Sequence, residues 1–106
     1  MVELLRHNVG VKMLQLGDVA LCPRFEVCFV GRTKLNIGTG GCEVLRILMC
    51  AFGHLEYVTR FELQYGRSWK TAEKNILTIR SELSRTQSKV VLLCKSKHGY
   101  FLKVNE

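Results

Sequence analysis

The C-terminal segment constrains the fold more than any other part of the sequence. Residues 90–94 and 100–104 are mostly apolar, and a short polar break that ends in Gly99 separates them. Two apolar runs around a break of this kind are typical of a β-hairpin. The break contains two lysines and one histidine: Lys95, Lys97 and His98. The sequence therefore predicts a C-terminal hairpin with a basic tip.

Length and composition indicate one small folded domain. The 106 residues are 47% hydrophobic, which is enough for a modest core, and the single proline and nine glycines argue against disorder. No apolar run approaches the roughly 20 residues of a membrane-spanning helix. Residues 1–16 contain scattered basic side chains, which is atypical of a secretory signal peptide. We predict an N-terminal arm over residues 1–14 and a domain over residues 15–106.

The net charge of +7 is concentrated in the second half of the chain. Residues 1–59 contain six Lys or Arg and five Asp or Glu, whereas residues 60–106 contain ten and four, a balance of +6. A basic half on a small domain predicts a polyanionic partner. DNA or RNA fits better than an anionic membrane, because no predicted helix combines a strongly apolar face with a basic one. The alternative is a solvated surface that is basic by chance.

The sequence contains no motif for catalysis, metal binding or a cofactor. It has no recognisable Ser/His/Asp or Cys/His arrangement and no Walker A loop. The five cysteines form no C-x-x-C pair, and the three histidines are far from any paired cysteines, so we expect no zinc site. Cys28, Cys50 and Cys94 have apolar neighbours in the sequence, so we expect their free thiols to act as small hydrophobic groups. A reducing compartment is the simpler interpretation. We therefore predict a protein that is not an enzyme and needs no cofactor.

Short strands are predicted before the first helix. Strand-like runs cover residues 19–22, 26–30 and 34–37, and their spacing predicts a small antiparallel sheet. The apolar residues before them could form an arm, a short helix or a first strand over residues 12–16.

The first helix is predicted from Gly41, where the spacing of the apolar residues changes from that of a strand to that of a helix. Its apolar residues cover most of its circumference, so we expect it to be largely buried. Thr39 is the predicted N-cap, Glu43 lies in the predicted first turn, and Gly53 is the predicted stop. Residues 54–58 follow as a connector.

Two further helices are predicted in quick succession. Thr59 and Glu62 have the spacing of a capping box for a short helix over residues 60–65, which Gly66 ends. The third helix is predicted to start at Thr71 or Ala72. Its buried stripe has helical spacing and consists of Ala72, Ile76, Ile79 and Leu83. Two such helices joined by a short turn indicate a helix-turn-helix.

Three segments carry a resemblance to a known family. Residues 59–63 read T-R-F-E-L, residues 75–83 read N-I-L-T-I-R-S-E-L, and residues 97–102 read K-H-G-Y-F-L. In this order they resemble the S-R-x-E-L, H-I-x-x-L-R-x-x-L and K/R-x-G-Y-x-L patterns of the winged helix-turn-helix in OmpR/PhoB-type transcription regulators. The resemblance implies an α+β fold with a short N-terminal antiparallel sheet, three helices and a C-terminal hairpin as the wing.

The resemblance also implies a function. A domain of this family would bind double-stranded promoter DNA sequence-specifically in a bacterial transcription regulator, with contacts to RNA polymerase and a homodimer on DNA as further expectations. Because no receiver domain precedes the fold, the organisation is similar to that of ToxR/CadC-like N-terminal domains. This predicts a cytoplasmic domain whose membrane contact, if any, is made by a region absent from this chain. A small standalone regulator remains the alternative.

The third helix is the predicted reader of bases. In the major groove, Lys74 could donate to guanine acceptors and Thr78 could make polar or methyl contacts. Glu73 could accept from a cytosine amino group, and Leu77 occupies an outward position. The alternative is a solvated helix face, with Glu73 suiting the helix dipole.

Phosphate contacts are predicted on either side of that helix. By the resemblance, Arg80 lies over a phosphate, and its alternative is a salt bridge to Glu73 or Glu82. Three residues at the preceding turn could also meet the DNA backbone: Arg67, Lys70 and Thr71. Such contacts supply affinity without specificity.

The hairpin tip is the predicted wing contact. Cations at a wing tip are attracted by the negative potential of the minor groove, which favours roles for Lys95 and Lys97. His98 stands where the family often has arginine. The alternative is an exposed turn that contacts no ligand.

Two other functions fit the same sequence. A winged-helix protein–protein module could use this basic face for an acidic partner. An RNA-binding domain fits less well, because the predicted sheet contains no pair of aromatic residues for base stacking.

Overall fold

The computed structural model of the chain describes residues 13–105, whose first elements form a small antiparallel sheet. Its four strands are neighbours in chain order: β1 (Leu14–Leu16), β2 (Val19–Cys22), β3 (Val27–Val30) and β4 (Thr33–Lys34). The predicted N-terminal sheet is therefore confirmed, and the ambiguous first segment contains a strand. Of the predicted arm, residues 1–12 lie outside the described residues, and Leu14 already belongs to β1.

One face of this sheet faces the core. The register pairs Val19 with Val30 and Leu21 with Cys28, and all four side chains are buried. Successive side chains of a strand point to opposite faces, so this pairing puts one apolar row against the rest of the domain.

The fourth strand is shorter than predicted. Pairing with β3 ends at Lys34, yet Leu35 and Ile37 are buried. The Leu35 backbone N–H still donates to the Cys28 carbonyl oxygen of β3 at 2.8 Å. The alternation that predicted a strand over residues 34–37 therefore reflects burial of a segment that leaves β3 after Leu35 and enters the core.

The helix α1 (Gly38–Ala51) begins three residues before the predicted start. Ile37 occupies the N-cap position without a side-chain cap, so the prediction that Thr39 is the cap is wrong. The Thr39 hydroxyl instead donates to Glu26 Oε1 at 3.2 Å. The earlier start also removes Glu43 from the first turn. Gly53, with φ of 83°, follows the C-cap residue as predicted.

The short helix α2 (Arg60–Gln64) has the predicted capping box. The Glu62 backbone N–H donates to Thr59 Oγ1 at 3.2 Å, and the Thr59 backbone N–H donates to Glu62 Oε1 at 3.1 Å. Tyr65 ends the helix in the left-handed conformation, with φ of 48°. The helix is one residue shorter than predicted.

The helix α3 (Trp69–Arg85) begins two or three residues before the predicted start at Thr71 or Ala72. Ser68 is its N-cap, because the Ser68 Oγ accepts from the Thr71 backbone N–H at 3.2 Å. The predicted buried stripe is confirmed: Ala72, Ile76, Ile79 and Leu83 are all buried. A four-residue turn, residues 65–68, joins α2 to α3.

The C-terminal hairpin is confirmed, and it belongs to a three-stranded sheet. Its strands are β6 (Val90–Lys95) and β7 (Gly99–Val104), and a further strand, β5 (Val58–Thr59), pairs with β7. The last residue of the predicted connector is thus part of a strand. Gly99 pairs with Thr59, and a Cβ atom at Gly99 would collide with the carbonyl oxygen of Val58. This close approach requires glycine there.

The two sheets and the helices share one core. Helix α1 packs against α3 and β7, and α3 also packs against β6. The Asp18 carboxylate joins the two ends of the described chain, because it accepts from the Ser88 hydroxyl at 2.7 Å and from the Lys89 backbone N–H at 3.0 Å. Among residues 13–105, no helix is long and apolar enough to cross a membrane.

Candidate nucleic-acid interface

The outward face of α3 is polar, basic and free of packing. Residues 70, 74, 77 and 81 follow helical spacing on the side opposite the buried stripe, and all four are exposed. The face thus displays two lysines, Lys70 and Lys74, one leucine, Leu77, and Ser81. Neither lysine forms an ion pair with another residue of the described range.

Hydroxyl groups next to this face already have partners within the helix. The Thr78 hydroxyl donates to the Lys74 carbonyl oxygen at 2.9 Å, so its hydrogen is not available for a base acceptor. The Thr71 hydroxyl lies 3.1 Å from the Ser68 hydroxyl at the start of the helix. Glu73 is exposed at the side of the face. The predicted residues of α3 are therefore brought together, but Thr71 and Thr78 have fewer free donors than expected.

The body of the hairpin packs against the N-terminal end of α3. The Tyr100 ring is 6.1 Å from the ring of Trp69, the first residue of α3, and Tyr100 pairs with Cys94, two positions before the hairpin turn. Lys97 and His98 in that turn are exposed. The fold thus joins the hairpin to the first turn of α3, which carries Lys70.

The connector between α1 and β5 holds the hairpin tip. Glu56 forms an ion pair with Lys95, and the Tyr57 ring lies 5.9 Å from the His98 ring. The positive charge of Lys95 is therefore less available to a ligand than the sequence suggested. Lys97, in contrast, forms no ion pair with an acidic residue of the described range.

Arg80 connects α3 to the hairpin. Its Nε–H donates to the carbonyl oxygen of Leu92 in β6 at 3.2 Å. Neither predicted salt bridge forms: Glu82 instead pairs with Arg85 at 2.9 Å, and Glu73 forms no ion pair within the described chain. Any phosphate contact by Arg80 would have to use the terminal nitrogens of its guanidinium group.

Arg67 does not join the outward face of α3. Its side chain is half-buried in an ion pair with Glu43 of α1, and its Nη1 is buried without a partner in the described residues. The ion pair ties the turn between α2 and α3 to α1. Arg67 thus has a structural role, and its guanidinium group is not available to a ligand on the outward face of α3.

Arg60 is a candidate that sequence reasoning missed. It is the exposed first residue of α2, and its guanidinium carbon lies 4.7 Å from the centre of the Trp69 ring. A cation–π contact of this kind holds the charge beside the start of α3. Its position in the T-R-F-E-L segment was the one available signal, since the stacking on Trp69 depends on tertiary contact.

The thiols give no sign of a reactive or metal-binding centre in the described chain. All five cysteines are free, and among residues 13–105 no group of three His, Cys, Asp or Glu is placed to hold a metal ion. Burial, with a smaller effect of the nearby Cys42, raises the pKa of Cys28 to about 12. Cys50 and Cys94 are exposed, so the expectation that they act as small core hydrophobes is wrong.

No protein-family model matches the chain, and no curated protein matches its sequence significantly.

Proposed function

We propose that this protein is a sequence-specific double-stranded DNA-binding domain of a bacterial transcription regulator, with a winged helix-turn-helix of the OmpR/PhoB type. In this proposal α2, the turn and α3 form the helix-turn-helix, and the β6–β7 hairpin is the wing. Helix α3 enters the major groove, and the hairpin tip contacts the backbone or the adjacent minor groove.

The packing of the hairpin against the start of α3 supports the proposal. The domain displays two exposed basic elements: Lys70 and Lys74 on the helix, and Lys97 with His98 in the turn of the hairpin that contacts Trp69 through Tyr100. The major groove admits an α-helix, and phosphates flank it on both sides. A helix with a basic element beside it therefore matches both parts of a DNA duplex.

The contacts divide the proposed site into two roles. Lys74 lies in the middle of the exposed face, where a base edge would be nearest, and its ammonium can donate to guanine O6 and N7. Lys70 and the stacked Arg60 lie at the N-terminal end of α3, and Lys97 lies in the hairpin turn; in the proposal all three meet phosphates. Phosphate contacts fix the position of the protein, and the base contact supplies specificity.

An acidic protein partner is the alternative for the same surface. Such a partner would pair its carboxylates with the same lysines. It would not need an exposed helix face combined with a hairpin, whereas a DNA duplex uses both. Binding to duplex DNA and to an acidic peptide of matched charge separates the two proposals.

Fluorescence anisotropy with a labelled duplex at several salt concentrations tests the proposal. We expect the logarithm of the binding constant to fall linearly with the logarithm of salt concentration, with a slope of about −0.9 per neutralised phosphate. Absence of duplex binding at low salt, or equal affinity for the acidic peptide, would overturn it.

A matched pair of lysine variants sharpens this test. Lys74→Ala should lower the preference for a selected duplex over random DNA by about 1–3 kcal/mol. Lys103→Ala removes an equal charge from an exposed position on β7 and should leave that preference unchanged. Equal losses of specificity in both variants would place α3 outside the major groove.

A further inference from the structure

Leu77 is an apolar side chain in the middle of a basic face. Its side chain is 56% exposed, whereas the aliphatic side chains of the opposite stripe of α3 are buried. Lys74 precedes it by one turn and Ser81 follows it by one turn, both exposed. Leu77 thus adds nothing to the core and presents its isobutyl group to whatever contacts α3.

The residues next to Leu77 restrict which chemical groups a ligand could place against it. The adjacent Thr78 donates its hydroxyl hydrogen to the Lys74 carbonyl oxygen at 2.9 Å, so it retains only acceptor capacity. The centre of the face therefore offers the cationic donor of Lys74 next to the hydrocarbon of Leu77. A ligand that satisfies both must carry hydrogen-bond acceptors and an apolar group within one helical turn.

The major groove presents this combination. Guanine offers two acceptors there, and thymine offers a C5-methyl group, which apolar side chains contact. We propose that Leu77 contacts the C5-methyl group of a thymine in the major groove, next to the base that Lys74 reads. The inference rests on the proposed function, and it defines the DNA sites: they contain a thymine at one fixed position beside a guanine.

The charge around Leu77 favours DNA over an apolar protein surface as the occupant. Lys70 and Lys74 precede it on the same exposed face of α3, by two turns and by one turn. Burying these ammonium groups against an uncharged partner would cost free energy, whereas phosphates beside the groove compensate for them.

The test removes one methyl group at a time from the DNA. A tight duplex is first selected from a random pool with the full 106-residue chain. Each thymine is then replaced by deoxyuridine, which keeps base pairing and deletes only the methyl group. At one position we expect binding to weaken by about fourfold, the change that corresponds to one buried methyl group. Leu77→Ala should bind the thymine and deoxyuridine duplexes equally.

A second leucine variant provides the control. Leu55 is 55% exposed and lies outside α3, in the connector between α1 and β5. Leu55→Ala should keep the fourfold effect of the methyl group, since it removes the same side chain from a different surface. Because Leu77 is exposed, Leu77→Ala should also retain the thermal stability of the wild type, which circular dichroism can verify.

The outcomes separate this inference from the proposed function. If the wild type prefers the selected duplex but no deoxyuridine substitution weakens binding, Leu77 reads no methyl group and the inference is wrong while the function stands. An undiminished methyl effect in Leu77→Ala would likewise overturn it. If no duplex is bound even at low salt, the proposed function fails and the inference fails with it.

Discussion

The imidazole of His98 lies 5.9 Å from the phenol ring of Tyr57, and the two ring planes are tilted by 32°. These residues are 41 positions apart, and they bring the hairpin tip against the connector that follows α1. In the same contact, Glu56 forms an ion pair with Lys95. The basic tip is therefore not a free loop, and its charge is partly balanced by its own protein.

A permanent positive charge at position 98 should strengthen DNA binding. His98 is exposed in the hairpin turn, so a permanent guanidinium charge at this position would be free to meet a DNA phosphate. His98→Arg should therefore bind a duplex more tightly than the wild type at low salt, by up to about fivefold, the value of one exposed ion pair. Anisotropy titrations at constant pH and salt measure it. Equal affinities of the wild type and His98→Arg would place position 98 outside the interface.

Glu56→Gln should strengthen DNA binding. The Glu56 carboxylate and a DNA phosphate would compete for Lys95, so removing the carboxylate charge frees the lysine. We expect a gain of about threefold to fivefold at low salt, and almost no change in stability because the ion pair is exposed. Anisotropy titrations at constant salt provide the measurement.

Glu26→Gln controls for the change in net charge. Glu26 is exposed in the turn between β2 and β3, and glutamine can still accept from Thr39. An equal gain in both variants would show that only the overall charge matters and that the Glu56–Lys95 pair does not compete with DNA.

Asp18 should make the fold sensitive to acid. Burial raises the pKa of this carboxyl group, but the hydrogen bonds from Ser88 and the Lys89 backbone outweigh burial and hold the pKa below its ordinary value of 3.8. A group whose pKa is lower in the folded state stabilises the fold above its unfolded pKa. This contribution is lost as pH falls through the folded pKa.

Asp18→Asn tests this carboxylate by urea denaturation. At pH 7 we expect the free energy of unfolding to drop by about 1 kcal/mol, because charge-assisted hydrogen bonds are replaced by neutral ones. Below pH 4 the difference between the variant and the wild type should shrink, since the wild-type carboxyl group becomes protonated. A difference that is the same at pH 7 and pH 3 would show that charge on Asp18 contributes nothing.

The sequence alone determined the parts of the fold that depend on near neighbours. The capping box of Thr59 and Glu62 spans three residues, and the buried stripe of α3 follows from helical periodicity. The hairpin was predictable because residues 90–104 contain both strands and their turn. In each case the interacting groups are close in sequence, so propensity and spacing were sufficient.

Local signals failed where tertiary packing decides the boundary. Helix α1 begins at Gly38 rather than Gly41, because the preceding segment carries Leu35 and Ile37 into the core and no side-chain cap sets the start. Val58 looked like part of a connector because a two-residue strand has no periodicity of its own. Only pairing with β7 makes it a strand.

The candidate interface shows the same division. The sequence predicted Lys74 and Leu77 on the outward face of α3, because helical geometry assigns the face. It could not predict that Arg67 is tied to Glu43, that Arg80 donates to β6, or that Glu56 pairs with Lys95. Those contacts join residues 12 to 39 positions apart. Which charges remain available to a ligand was therefore decided by the tertiary structure, since an ion pair forms only between groups that the fold brings within reach.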